Sequence, residues 1–377
     1  MRRNVADRSA VRRGVLGRTA LGRTALGRAV RAGALVATVA LGAGCSLVGG
    51  SGGSDAGGER KVVLVTHNSF SPPKELLEDF QKRTGVKLEV RASGDGGALT
   101  NQLVLTKSNP IGDVAFGVDS TFASRALDEG VFQPYRAAEG DRGPQRYAPQ
   151  GGQDRLTAVD VGDVCLNVDT GWFQQRGVAE PKTLDDLTQP QYKDLLVAED
   201  PATSSPGLAF LLATVAKYGE NGYADYWTRL RGNGLKVTSG WEEAYNQDFS
   251  AGTGGKGQRP IVVSYASSPA FTIGDDGKPR TKALLDTCYR QVEYAGVLAN
   301  AKNVDDARKV VDFLVSPEFQ AKVAESMYVY PAREGVTLPE AWQRAAPLPE
   351  RSAELPADQV KAGRERWVEQ WRKTVRG

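Results

Sequence analysis

From residue 61 onward, short apolar runs alternate with segments whose apolar residues recur three and four positions apart. Residues 61–66 (KVVLVT) are a β-branched run, which predicts a buried strand. Ser71-Pro72-Pro73 then opens a helix that carries Leu76, Leu77 and Phe80 on one face and closes at Gly85. Strand 86–90, helix 98–106 and strand 113–117 follow, and this βαβαβ succession predicts a mainly parallel sheet covered by helices. After a Gly-, Pro- and Arg-rich loop at 139–153, residues 157–169 (TAVDVGDVCLNVD) read as one long strand. The alternation resumes with strand 195–198, helices 207–218 and 223–230, strand 235–238, helix 241–249 and strand 260–265. A strand at 289–298, helices 304–314 and 317–324, and a last amphipathic helix at 357–375 complete the pattern. Trp367 and Trp371 lie four apart on that last helix, a spacing that predicts a docking stripe. Two α/β units, with long strands near 157–168 and 289–298 passing between them, predict two lobes with a cleft at the carboxyl ends of the strands.

The first sixty residues have a different texture. Residues 1–44 hold nine arginines, no lysine and one acid, Asp7, and an uncharged run from Ala32 to Gly44 leads into Cys45. A basic stretch, a short apolar stretch and small residues before a cut predict a secretory signal at 1–44, too short to span a membrane. Gly42, Ala43 and Gly44 before Cys45 resemble a bacterial lipobox, which implies lipidation of Cys45, although Leu41 stands four rather than three places before it. An ordinary signal peptide with an incidental cysteine is the alternative. Arg12-Arg13-Gly14-Val15-Leu16 also fits a twin-arginine export signal, and arginine is frequent enough here for the pair to arise by chance. Residues 45–60 are a Gly/Ser-rich tether without the apolar residues a core needs. Gly49-Gly50-Ser51-Gly52-Gly53 fits a hydrolase elbow only formally, since neither the strand nor the helix of that motif flanks it.

The 377 residues are enough for about two domains, and 40% of them are hydrophobic. His67 is the single histidine and the three cysteines are widely spaced, which excludes a zinc-finger framework, a three-histidine zinc site and a disulfide-stapled miniprotein. A Ser-His-Asp triad would have to use His67, and nothing ties it to a nucleophile. No metal site is expected. With Cys45 lipidated, Cys165 and Cys288 remain beside the crossing strands. An oxidising compartment favours a disulfide between them, with two buried thiols as the alternative.

Six junctions at strand ends are unusually polar: Asn68-Ser69, Gly94 to Gly97, Gly117 to Ser120, Thr203 to Gly207, Ser239 to Glu242, and Tyr265 to Ser268. Each places hydroxyls, a carboxylate or free N–H groups at a helix start. Helix capping explains any one of them, whereas six converging on one cleft would make a site. Aromatic residues recur nearby at Trp241, Tyr245, Tyr265, Phe271, Tyr328 and Tyr330. With Asp95, Asp119 and Glu293 they could cage an aromatic cation; ordinary core packing is the other reading.

The segments THNSF (66–70), GDVAFGVDSTF (112–122), DPATSSPG (200–207), TSGWEEAYNQDF (238–249), VVSYASSPAF (262–271), KVVDFLVSPEFQ (309–320) and MYVYPA (327–332) resemble the thiamine-binding proteins of bacterial ABC importers. The resemblance implies a two-lobed periplasmic-binding-protein fold of type II, with mixed sheets joined by two hinge strands and the ligand between the lobes. Lobe 1 is expected at 61–160 plus 295–377 and lobe 2 at 161–294. It further implies a non-enzymatic receptor that needs no cofactor and delivers thiamine or its phosphates to a permease and its ATPase; with the lipobox at Cys45, a monomer held on the outer face of the cell membrane by its lipid is expected. By the same resemblance Asp95 and Asp119 would face the cation, Ser204, Ser205 and Gly207 with Trp241 would line the hydroxyethyl or phosphate end, and Tyr265 and Tyr328 would stack on the rings. Ser69, Gly96, Tyr245, Ser267 and Tyr330 complete the candidate binding set. An aromatic that enterobacterial relatives carry soon after their counterpart of Ser69 is replaced here by Ser71-Pro72-Pro73. A receptor for a polyamine or ferric ion, and a secreted hydrolase using Ser69 or His67, are the other readings.

The formal net charge of +3 suggests an anionic partner until its location is considered. Without residues 1–44 there remain 39 basic and 44 acidic residues, a charge of about −5, and no basic stripe follows residue 60. Nucleic acid is therefore not an expected partner.

Overall fold

Residues 60–377 are described by a computed structural model. The signal at 1–44, the lipidated Cys45 and the tether expected before residue 60 lie outside the described residues.

The first half of the chain runs β1 (Arg60–Thr66), α1 (Lys74–Thr84), β2 (Val86–Ala92), α2 (Gly96–Leu105), β3 (Val114–Asp119), α3 (Ala123–Asp128), β4 (Thr157–Val161), β5 (Val164–Asp169), α4 (Thr170–Arg176) and β6 (Leu196–Glu199). It continues with α5 (Ser205–Gly232), β7 (Lys236–Thr238), α6 (Trp241–Glu243), β8 (Ile261–Tyr265), β9 (Thr281–Tyr289), β10 (Val292–Val297), α7 (Val304–Leu314), α8 (Pro317–Met327), β11 (Tyr330–Pro331), α9 (Glu340–Ala345) and α10 (Ala357–Arg376). Two mixed sheets result. One has the order β11-β4-β10-β3-β1-β2 and the other β7-β6-β8-β5-β9. The parallel pairs β1/β2 and β1/β3 are those the βαβαβ pattern predicts, while β10 enters the first sheet antiparallel between β3 and β4.

The stretch 157–169, expected as one strand, is two. It breaks at Gly162-Asp163, so that β4 lies in the first sheet and β5 in the second. Likewise 289–298 divides at Arg290-Gln291 between β9 and β10. The break gives each lobe its own sheet and leaves two short crossings side by side. Gly162 N–H donates to Gln291 O at 3.0 Å, and the Arg290 guanidinium pairs with the buried Asp163 carboxylate. Tyr289 therefore ends the second sheet, and Val292 to Tyr294, expected in lobe 2, are in the first sheet.

Helices 207–218 and 223–230 merge into α5, kinked at Gly219, whose φ of 70° suits glycine and few other residues. Strand β9 carries no clean alternation and escapes a pattern reading. Its Cys288 is disulfide-bonded to Cys165 on the neighbouring β5.

The carboxyl-terminal helix, placed by chain position with lobe 1, packs mainly on α5 of the second lobe. Trp371 meets Trp227 edge-on at 5.7 Å, and Arg376 pairs with Asp200 at 2.8 Å. Its first turns instead reach α3, where Lys361 pairs with Asp128 at 2.8 Å and Arg364 lies over Phe122. Trp367 and Trp371 are each 1% exposed, so the aromatic stripe is a docking face. Trp371→Ala should lower the unfolding free energy by about 3 kcal/mol or more, as expected for a fully buried aromatic. Denaturant titration checks this, and a loss under about 1 kcal/mol would show that the helix is only loosely docked.

Candidate functional site

Between the two sheets lies a cavity of about 810 Å³, large enough for a small organic molecule. Five of the six polar junctions reach its wall, through Asn68 and Ser69, Gly94 and Asp95, Thr203, Ser239 to Glu242, and Tyr265 with Ser268. The sixth, ending β3, sits behind it.

Asp95 joins the lobes. It is the N-cap of α2 in the first lobe, with Gly96 N–H donating to Oδ1 at 2.6 Å. The same carboxylate accepts Ser205 N–H at 3.2 Å, Ser204 Oγ–H at 3.0 Å and Trp241 N–H at 2.8 Å, all from the second lobe. It thus caps the starts of α5 and α6 as well as its own helix, where a negative charge is favoured. A Cβ on Gly96 would run into Ser205 Oγ, so glycine is what lets α2 and α5 meet this closely.

The second lobe supplies an aromatic wall. Trp241 stacks on Tyr245 at 4.9 Å and 17°, and its Nε1–H donates to Ser264 Oγ at 2.7 Å, which fixes the indole. Tyr265 stands 6.4 Å from Trp241, and Phe271 meets Tyr328 edge-on at 4.6 Å. Burial, with the Glu293 charge adding to it, pushes the Tyr265 phenol up, so it stays protonated.

The floor comes from the first lobe. Glu293 on β10 lies opposite Asp119 on β3 and Asp160 on β4, which sets three carboxyls in a row across adjacent strands. His67, just after β1, accepts Ser69 N–H at Nδ1 (3.2 Å) and turns Nε2 to Glu293 Oε2 at 3.4 Å, which puts the ring proton on Nε2. Burial lowers the His67 pKa, but the charge and hydrogen bond of Glu293, with Asp95 and Asp119 behind it, outweigh burial and raise it. Asp119 is pushed up to about 6 by burial, against the hydrogen bonds it accepts from Ser205 Oγ and from Thr121 N and Oγ1.

Of the candidate binding residues, Ser69, Asp95, Trp241, Tyr245, Tyr265 and Tyr328 line the cavity. The rest stand behind the wall, because each is held by packing or hydrogen bonds of its own. Asp119 is 0% exposed beneath Ser205; Ser204 is the N-cap of α5, and Gly207 packs on the Glu199 carbonyl. Gly96 lies under Ser205, Ser267 Oγ–H donates to Tyr328 O at 2.5 Å, and Tyr330 OH donates to Ala346 O at 2.6 Å on the far side of β11. The structure adds His67, Glu293, Phe271, Glu242 and Glu243 to the wall. Glu293 and Phe271 stood among the caging residues in the sequence, but His67 could be placed only by the topology that ends β1 beside β3. The wall carries four carboxylates, from Asp95, Glu242, Glu243 and Glu293, and no lysine or arginine. Among the described residues no group of three His, Cys, Asp or Glu side chains is placed to hold a metal ion.

Residues 109–353 match the bacterial extracellular solute-binding protein family. The chain belongs to that family. This solute-binding protein is 30% identical over 327 residues to a thiamine-binding periplasmic protein of Brucella abortus biovar 1 (strain 9-941), across 82% of this chain and 91% of that one. The thiamine-binding periplasmic protein of Escherichia coli (strain K12) is 29% identical over 321 residues, across 83% and 93%. A solved periplasmic thiamin binding protein superposes with a TM-score of 0.73 at 28% identity, across 84% and 96%. The fold is the two-lobed periplasmic-binding-protein type.

The buried Asp119 gives a pH-dependent prediction. Its folded pKa lies above the ordinary value of 3.8, so its favourable contribution is full below about pH 4 and is lost as the pH rises through about 6. Asp119→Asn keeps an acceptor for Thr121 and offers Ser205 a donor. Relative to the parent it should be unchanged near pH 4 and more stable by on the order of 2–3 kcal/mol at pH 8. Paired urea titrations at the two pH values measure this, and equal differences at both would refute it.

Proposed function

We propose that this solute-binding protein captures thiamine between its lobes and hands it to a membrane permease powered by an ATPase, without altering it chemically. The observation that carries the reading is a cavity with stacked aromatic walls and four carboxylates unopposed by lysine or arginine. Thiamine has a permanent positive charge, two flat rings and an alcohol tail. Aromatic faces and carboxylates attract the charge, and cation–π contact in a desolvated site is worth about 2 kcal/mol. The names of the relatives agree with this ligand. Thiamine mono- and diphosphate are weaker candidates, since Asp95 already occupies the N–H groups that an added phosphate would seek, and no lysine or arginine lines the cavity.

Titration of the tetherless protein with thiamine, followed by tryptophan fluorescence and calorimetry, tests the proposal. Micromolar or tighter binding and recovery of unaltered thiamine are expected; absence of both quenching and heat would sink it. Trp241→Ala should weaken binding at least tenfold, because the ring forms the stacked wall, and unchanged affinity would remove it from the site.

The receptor would act on the outer face of the cell membrane, held as a monomer through lipidated Cys45. Cys45→Ala should move the protein from the membrane to the soluble extracytoplasmic fraction; a variant still bound to membrane would exclude that anchor.

A further inference from the structure

The floor of the cavity contains a carboxyl group that ligand recognition, as described so far, does not use. Asp160 on β4 is 0% exposed, and neither of its oxygens receives a hydrogen bond from any donor among the described residues. Opposite it in the antiparallel register is Glu293, a residue 7% exposed that lines the cavity. Two ionised carboxylates in contact have only acceptors to offer each other, and burial removes the water that would screen them. A single proton between them turns the contact into a hydrogen bond, as in other carboxyl pairs that share a site.

The surrounding groups do not relieve the pair in another way. His67 approaches from the end of β1 and turns its Nε2 to Glu293, while its Nδ1 faces Ser69 N–H, so neither ring nitrogen supplies Asp160 with a donor. Asp119 from β3 and Asp95 from α2 add negative potential, and Tyr265 from β8 and Gln291 beside the crossing are neutral. On the other edge of β4, Tyr330 turns its hydroxyl away to Ala346 O. Burial, then the charge of Glu293, push the Asp160 carboxyl well above its ordinary range, and no lysine or arginine is among the groups that act on it.

We propose that Asp160 is a positioning residue that stores one proton against Glu293 beneath the cavity floor, and that a cation settling over Glu293 expels it, so that ligand capture releases a proton. The step balances simply: the O–H bond of Asp160 breaks, the proton leaves to solvent, and the incoming positive charge replaces it beside the two carboxylates. Net charge in the floor stays at one negative charge before and after, so capture adds no further charge to the buried pair. Affinity therefore rises with pH, approaching about tenfold per unit where a whole proton is released.

This inference rests on the proposed cationic ligand, and its test separates the two. Thiamine is titrated into the protein at neutral pH in buffers of different ionisation enthalpy, and the slope of heat against that enthalpy counts protons. The parent should release between about a half and one proton. Asp160→Asn should still bind, within about tenfold, but release close to none and lose most of the pH dependence. Heat without proton release in the parent, or undiminished release from Asp160→Asn, overturns the inference while leaving the thiamine reading intact. No heat at all overturns the thiamine reading. The stored proton is then read directly, in ligand-free protein at neutral pH, as a component of the protonated-carboxyl infrared absorption that the parent-minus-Asp160→Asn difference spectrum reveals above the contribution of other buried carboxyls such as Glu199; identical spectra would overturn it without any ligand.

Discussion

One carboxylate holds the two lobes in register. Asp95 belongs to the first lobe by sequence and to both by bonding, since it accepts N–H and O–H donors from the starts of α5 and α6 as well as its own α2. Those donors are the first N–H groups of helices, which have no partner within the helix and must be satisfied by something. A single buried-side anion satisfies three sets at once, so the contact between the lobes follows from ordinary helix capping extended across a cleft. The aromatic wall depends on it too: Trp241 N–H is one of the donors, and the indole is set against Tyr245 and Ser264 from that anchored start.

Much of the fold was legible because it rests on local periodicity. The β-branched run ending at Thr66, the helix ending before Gly85 and the apolar strand ending at Asp119 each specify their element within a few residues. The crossings were not. Nothing in TAVDVGDVCLNVD distinguishes one strand from two, because Gly162 and Asp163 are compatible with a continuous strand, and the break exists only because two separate sheets compete for its halves. Strand β9 was invisible for a related reason. Its Leu284 and Cys288 are buried on the same phase as the exposed Lys282 and Asp286, which blurs the alternation, and it is held in place by pairing with β5 and the Cys165–Cys288 bond.

At the site, polar residues at strand ends were a sound guide to the region but not to the individual side chain. Ser204, Ser205 and Gly207 looked like ligand contacts and serve the wall from behind, because the donors they carry are spent on Asp95 and on α5 itself. Asp119 was read as facing a cation, yet Ser205 covers it. His67 and Glu293, far apart in sequence, come together through the β1/β3 and β3/β10 pairings. Such a meeting has no short-range signature.

Helix α10 gives the molecule a property that the cleft alone would not. It rests on α5 along most of its length and on α3 at its first turns, behind the cleft. Hinge bending about the two crossings must then slide or break the contacts of Lys361 and Arg364 with the first lobe. The free energy of opening is set partly on the back of the protein, remote from any ligand, and apparent affinity scales with the fraction of molecules in the competent state. The last helix is thus a counterweight to the cleft: a change in its contacts with α3 would shift solute affinity without touching the groups that line the cavity.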